Sequence, residues 1–429
     1  MFTYSFNETF SFDTTVFFFF SLQMFPNFNS LFPSIARQVV NYRFDRKLAA
    51  ASIAATPGSD YLMPNRSFDG LKYPWMSAFV GIEENPLQTE DHLQGDIALA
   101  FLQHFYATGD TQWLAEKGFP VLEGLARFWA SRVDALRDGI YQIAATRSPD
   151  EYHNNVTNPP YTNTVAKISL RAAYDLAPLV GLKPNETFKR IADGLPLLYD
   201  SKLDYHPEFA GYVPSDSIKQ ADVTMLGYPL GVSMDDSTKR NDLETYARVT
   251  DPRGPGMTVR SVFIFFMMIS HIFFNSQWSM HSISWGDLGD YEKSDAFFER
   301  GYHDYVKGAF SSWYEGYGDF GGVSYFITGV GGWLQSIING YGGVRYARDS
   351  MTINRPRVPP NCTSMKIRGI SYLGSKLELN VPLDGNWTLS APELGSVQLY
   401  VHFASGTVVP LTSSSKLSAA KGESVQIMR

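Results

Sequence analysis

The residues best equipped for chemistry crowd into one stretch, Ser148-Pro149-Asp150-Glu151-Tyr152-His153, continued by Asn154 to Asn163. It unites an adjacent carboxylate pair, an imidazole, a phenol and a set of side-chain amides. Carboxyl and imidazole groups are the common proton donors and acceptors of catalysis. The stretch is too polar for a core and too rich in Asn and Pro for a regular helix or strand. Segments of helical periodicity flank it, so it reads as a loop on a rigid scaffold, where functional groups tend to sit. On composition alone, a solvated surface loop is the plainer reading.

Four further stretches carry groups of interest: Ser11-Phe12-Asp13-Thr14-Thr15, Tyr73-Pro74-Trp75-Met76-Ser77, Ile218-Lys219-Gln220-Ala221-Asp222-Val223, and Trp313-Tyr314-Glu315 followed by Ser324 to Gln335. Each alone has an ordinary explanation: a polar terminus, a Trp behind a Pro turn, a surface Lys-Gln pair, a Glu beside a Gly-rich turn. Together with Pro149 to Asn163 they resemble the motifs of glycoside hydrolase family 65 (P-D-E-Y-H…V-x-N…Y-T-N, F-W-D-T-E, Y/F-P-W-E/M-S, K-Q-A-D-V, and W-x-E with N-F-L-T-G-x-G-G-F-L-Q). That family covers maltose, trehalose and kojibiose phosphorylases, acid trehalases and glucosidases. The resemblance extends over nearly the whole chain.

The resemblance implies roles. Glu151 occupies the position of the general acid. Glu315 matches the general base of the hydrolytic members, an assignment that rests on its spacing from Thr328-Gly329-Val330-Gly331-Gly332. Phe12 and Asp13 stand where the family has a Trp-Asp pair on the glucose ring; Phe12 replaces the Trp and Thr15 the Glu. Trp75 is placed to stack on a sugar, and Lys219 and Gln220 to hold glucose hydroxyls, Gln220 offering both donor and acceptor. Inverting glycosidases use two carboxyls with a water between them, one protonated and one ionised. Asp150, beside Glu151, is a like-charge neighbour able to raise the acid's pKa, although loop capping is the plainer role. An acidic Glu315 would repel phosphate, which favours hydrolysis over phosphorolysis. The reading is therefore an inverting α-glucoside hydrolase that releases glucose from a disaccharide or a glucosyl glycoconjugate. The alternatives are a disaccharide phosphorylase and an impaired carbohydrate-binding remnant. No cofactor or metal is implied.

Composition bounds this reading. The chain has 429 residues and a net charge of −7, so no basic surface argues for nucleic acid. Cys362 is its one cysteine, which rules out an intrachain disulfide. Asn-X-Ser/Thr triplets begin at Asn7, Asn65, Asn155, Asn185, Asn361 and Asn386. They are compatible with a secretory route, although no signal peptide is recognisable. Val262 to Phe274 is apolar but short of the roughly 20 residues a spanning helix needs, so no membrane partner is expected.

Helical periodicity organises most of the chain. Ile97, Phe101, Leu102 and Phe105 share a face, as do Val121, Leu122, Leu125, Phe128 and Trp129. Further helices are expected through Ile168 to Leu176 and Phe188 to Leu198. After about Met351, alternation at 376–381 and 397–403, with Asp384-Gly385 and Ser405-Gly406 turns, predicts strands. The expected architecture is mainly α: a catalytic domain over 1–350, implied by the resemblance to be an (α/α)6 toroid, then a small antiparallel β domain over 355–429. The family's N-terminal β-sandwich has no counterpart here, so apolar surface at Phe25, Phe28 and Phe32 is expected to be exposed. Residues 16–23 and 259–277 interrupt family motifs, are Phe-rich, and begin with Val and end with Gln. They read as translated introns, of which 259–277 is expected to project from the body.

Overall fold

In the computed structural model the described residues are 16–17, 20–77, 89–220, 222–251, 278–303, 305–315 and 325–429. A helical part is followed by an antiparallel sheet part. The helices are α1 (Phe25–Leu31), α2 (Pro33–Asp45), α3 (Lys47–Ala55), α4 (His92–Thr108), α5 (Phe119–Arg132), α6 (Pro160–Leu176), α7 (Glu186–Gly194), α8 (Asp236–Val249), α9 (Trp278–Asp287), α10 (Tyr291–His303) and α11 (Ile327–Gln335). A π-helical turn at Phe20–Met24 leads into α1.

The expected apolar faces bury as read. Ile97, Phe101, Leu102 and Phe105 of α4 are in the core, as are Val121, Leu122, Leu125, Phe128 and Trp129 of α5. The helix expected through Leu198 instead ends at Gly194, because Pro196 pushes Leu195 into extended backbone. Conversely, Pro160 to Asn163, read as loop, form the first turn of α6; Pro fits there because its missing N–H has no helical partner to lose.

Helix α6 is the central packing element, with α4, α5 and α7 against it, and α9 packs on α10. The approach of α4 to α6 depends on Gly95, where an added Cβ would lie 2.4 Å from the Val165 Cβ. Gly95→Val is therefore expected to cost about 1–3 kcal/mol or more through overpacking, read as a lowered midpoint in urea.

Phe25 corrects one expectation. It is fully buried with Val40, Leu93 and Ile97, while Phe28 is partly buried and only Phe32, at 55%, stands exposed. Of segment 16–23, Leu22 and Gln23 are buried, and the Gln335 amide donates to both of their carbonyls (3.0 and 2.7 Å). This end of the segment is integral to the core. Residues 259–277 lie outside the described residues.

Strands Val16–Phe17 (β1) and Met76–Ser77 (β2) pair antiparallel. Short hairpins follow at Asp134–Arg137 with Ile140–Gln142 (β3, β4) and at Val306–Lys307 with Ser312–Trp313 (β5, β6). The sheet part comprises β7 (Val344–Tyr346), β8 (Ser350–Ile353), β9 (Ser364–Tyr372), β10 (Ser375–Pro382), β11 (Trp387–Glu393), β12 (Tyr400–Phe403), β13 (Val408–Pro410), β14 (Lys416–Ala419) and β15 (Val425–Met428). They form two antiparallel sheets, ordered β13-β12-β15-β8-β7 and β14-β11-β10-β9. The sheet region thus starts before residue 355, because β8 pairs with β15 at the far end of the chain. Leu377, Leu379, Val381, Trp387 and Leu389 fill its core, which continues onto Phe298 and Tyr341 of the helical part. Among the described residues no helix is long and apolar enough to cross a membrane.

Candidate active site

The loop that carries Glu151 is held from below by buried charge. Arg132, at the end of α5, donates from Nε to Asp91 Oδ2 (2.6 Å) and from Nη2 to the carbonyls of Ala144 (2.8 Å) and Ala145 (3.1 Å). Lys72 lies 3.4 Å from Asp60 and 3.7 Å from Asp91, with all these side chains essentially inaccessible. The Arg147 N–H donates to the Thr89 carbonyl (2.9 Å), and so does the Thr146 hydroxyl (3.2 Å). Residues 89–91 and 144–147 are in this way one unit. Breaking a buried pair leaves an uncompensated charge, so Arg132→Met is expected to lower unfolding free energy by about 3–5 kcal/mol, measured by urea denaturation.

Above this base, Asp150 is fully buried. Its Oδ1 accepts the Lys219 backbone N–H at 2.5 Å; its Oδ2 accepts the His153 N–H at 3.2 Å and faces His153 Nδ1 at 2.6 Å. Asp150 thereby ties the 148–153 loop to the 218–222 loop. Glu151 follows in left-handed backbone, φ 59°. A non-glycine residue held there costs on the order of 1–3 kcal/mol and persists only where its surroundings impose it. The conformation sets the Glu151 carboxyl against both loop partners. Lys219 Nζ lies 2.6 Å from Oε2, and Gln220 Nε2 donates to Oε1 at 3.3 Å while also donating to the Pro149 carbonyl. Arg147 Nη2 donates to the Glu151 carbonyl at 2.7 Å and lies 3.9 Å from Oε2.

Glu151 is 12% exposed in its side chain. Burial first, and then the negative charge of Glu90, push its carboxyl above the usual range, against the opposing pull of Lys219 and Arg147. The like-charge neighbour is Glu90 rather than the expected Asp150, whose oxygens are engaged with Lys219 and His153. Behind the loops, Glu208 and Asp222 are both completely buried and face one another. The two carboxyls hydrogen-bond to each other, and the Asp150 backbone N–H is directed at Asp222. Burial, and then the Asp150 charge, raise the Asp222 carboxyl to about 8; Glu208 is raised well above the usual range by burial and by Asp222. Two carboxyls in this setting titrate as a pair rather than independently.

Of the residues singled out in the sequence, Glu151, Lys219 and Gln220 come into direct contact. Trp75 joins them through two intervening residues: its indole N–H donates to Glu90 Oε2 at 2.8 Å, Glu90 meets Arg147 at 3.7 Å, and Arg147 reaches Glu151. Glu315 lies just beyond β6 and is 4% exposed. Trp313, two residues before it, packs partly buried against the same apolar cluster as Trp75, the one containing Phe25, Leu93, Ile97 and Phe326. Phe12 and Asp13 lie outside the described residues. Sequence reasoning missed Glu90 and Glu208. Glu90 belongs to Thr89-Glu90-Asp91-His92, an acidic-imidazole string ahead of an apolar helix that was itself readable. Among the described residues no group of three or more His, Cys, Asp or Glu is arranged to hold a metal ion.

Known proteins resemble the chain in sequence and in fold. Residues 11–192 match the model of the glycosyl hydrolase family 65 central catalytic domain. The protein-glucosylgalactosylhydroxylysine glucosidase of Danio rerio is 34% identical over 95% of this chain and 57% of its own length. The kojibiose hydrolase of Mucilaginibacter mallensis is 33% identical over 81% of this chain and 48% of its own length. The cell wall acid trehalase of Arthroderma benhamiae is 27% identical over 83% of this chain and 33% of its own length. The chain thus spans little more than half, or less, of these relatives. A solved structure described as a kojibiose phosphorylase from the human microbiome superposes with TM-score 0.72 at 15% identity, over 95% of this chain and 54% of that one. That likeness concerns the fold.

Proposed function

We propose, for a chain that belongs to glycoside hydrolase family 65, that it is an inverting α-glucoside hydrolase with Glu151 as general acid and Glu315 as general base. The observation that carries this reading is the meeting of Glu151 with Lys219 and Gln220, brought from a loop 68 and 69 residues away in sequence. A carboxyl with a raised pKa, next to a cation and an amide that can turn to sugar hydroxyls, is what a general acid at a glucose-binding subsite requires.

In the proposed reaction Glu151 gives its proton to the glycosidic oxygen as the bond from that oxygen to C1 breaks. Glu315 takes a proton from water, and the water oxygen forms the new bond to C1 from the opposite face. Glucose leaves with inverted configuration, and the proton on Glu315 returns to Glu151 through solvent. Glucose is held by Phe12, Asp13, Lys219 and Gln220, with Trp75 as its stacking face. The geometry demands carboxyls roughly 6.5–9.5 Å apart in the sugar complex. The proposal extends to organisation: residues 1–350 as an (α/α)6-toroid catalytic domain, 355–429 as a C-terminal β domain, and 16–23 and 259–277 as translated introns. Adjacent packing of helices close in sequence, such as α6 with α7 and α9 with α10, supports the toroid.

The substrate class follows the relatives' names: kojibiose, trehalose and glucosyl-galactosyl-hydroxylysine are the candidates. Incubation with each, with and without phosphate, should release glucose in the β form by NMR and independently of phosphate. Glucose 1-phosphate as product would assign a phosphorylase. Sugar binding without any product would assign a remnant.

A further inference from the structure

We propose that Glu90 is a positioning residue for this reaction, acting on Glu151 through the Arg147 guanidinium they share and through its own like charge. The inference rests on the reading of Glu151 as the general acid and adds a residue to it.

Glu90 is placed by a built framework. The 89–91 segment is bonded to 144–147 through the Thr89 carbonyl and the Asp91–Arg132 pair. Its side chain is 8% exposed and engaged on three sides. Trp75 Nε1 donates to Oε2 at 2.8 Å, His92 Nε2 lies 3.6 Å from the same oxygen, and Arg147 Nη1 lies 3.7 Å from Oε1. His92 is fixed from behind. Its Nδ1 faces Asp96 Oδ2 at 2.9 Å, and Asp96 Oδ1 accepts the Tyr161 hydroxyl at 2.6 Å, all three side chains being buried. The chain Tyr161–Asp96–His92–Glu90 therefore runs from the middle of the helical core to the Glu151 loop.

Charge on this chain has one direction. Burial opposes a charge on His92, but hydrogen bonds to Asp96 and Glu90 outweigh it and lift the imidazole to about 10. A cationic His92 holds Glu90 in place. Arg147 then sits between two carboxyls, Nη1 toward Glu90 and Nη2 toward Glu151. Divided between them, it compensates Glu151 less than a dedicated partner would. The charged groups that bear on Glu151 are Glu90, which favours its protonated form, and Lys219 and Arg147, which oppose it; Asp150 is occupied by Lys219 N–H and His153. Burial favours the protonated acid most, and Glu90 is the negative side chain that adds to it against two cations.

The test is Glu90→Gln, with Glu90→Asp as the charge-keeping control and Arg147→Gln as the opposite-sign variant. The alkaline limb of kcat/KM should move down by about one pH unit in Glu90→Gln, a roughly tenfold loss on that limb, with little loss on the acid side. Glu90→Asp should restore the limb, and Arg147→Gln should move it upward. A loss in Glu90→Gln that is uniform across pH would overturn the proposal, since a merely structural residue gives that result. Titration of the Glu151 carboxyl by NMR, from the difference between 13C-glutamate-labelled protein and Glu151→Gln, reads the same quantity without turnover. Were Glu151→Gln to stay active, the assignment of the acid would fall. The NMR titration would still decide on Glu90: an unchanged Glu151 midpoint in Glu90→Gln, or in Glu90→Asp relative to Glu90→Gln should the limb be unreadable, overturns it.

Discussion

Glu151→Gln should reduce kcat by at least about 10²–10⁴-fold, the usual worth of a positioned proton donor, on any α-glucoside with a poor leaving group. Gln keeps the shape of the side chain and an acceptor for Lys219 and Gln220, so affinity for glucose, read by calorimetry, should change much less than kcat. Glu315→Gln should lower kcat to a similar extent for a different reason, loss of water activation. Azide separates the two. A small anion can attack C1 where activated water is missing, but it cannot protonate a departing oxygen, so it should rescue Glu315→Gln and not Glu151→Gln on a natural glucoside. An activated aryl glucoside, whose leaving group needs no proton, should reverse the pattern and rescue Glu151→Gln. Equal rescue of both variants by azide would remove the acid–base distinction between them.

How much of this was legible in the sequence differs between the parts. The faces of α4 and α5 were readable because Ile97, Phe101, Leu102 and Phe105, and Val121 to Trp129, repeat at helical spacing and are buried at that spacing. The β9–β10–β11 meander was readable from alternation at 376–381 and from Asp384-Gly385, where Gly385 takes φ 94°. The β3–β4 hairpin was missed although Asp138-Gly139 is a strong turn signal, because the strands are too short to show alternation. Glu151, Lys219 and Gln220 were identified by motif, and no local pattern in residues so far apart says that they touch. Glu90 was invisible for the same reason. Its role exists only because Arg132 and Thr89 bind two distant segments into one, and ion pairing of that kind leaves no periodicity. Glu151's left-handed backbone was equally unreadable: tertiary contacts impose it against the preference of the residue.

Glu208 and Asp222 should make the protein less stable as pH rises across the neutral range. Asp222 keeps its proton in the folded state up to about 8, whereas in an unfolded chain an Asp loses it near pH 4. Between these values the folded state binds more protons, so stability falls with increasing pH. The contribution is intact below about pH 4, where both states are protonated, and is gone above about 8. Glu208, raised well above its ordinary range by burial and by Asp222, acts in the same direction. Asp222→Asn removes one titration and supplies a permanent donor to Glu208, so the melting temperature of the variant should decline less between pH 5 and pH 8. At pH 8 the variant should gain on the parent by at least about 2 °C relative to their difference at pH 5, the scale of roughly 1 kcal/mol in a domain of this order. His92, lifted to about 10, also withdraws stability as pH rises from its ordinary 6.5; its charge favours the ionised form of Asp222, so the comparison is made up to pH 8, where His92 keeps its charge in the fold. A melting-temperature difference that stays constant from pH 5 to pH 8 would mean that the fold does not raise the titration of these two carboxyls. The position of the pair gives the effect its meaning: Asp222 stands two residues from Gln220, and Asp150 borders Glu151. The loops that carry the proposed chemistry are therefore seated on an acid pair that favours the fold only while it stays protonated.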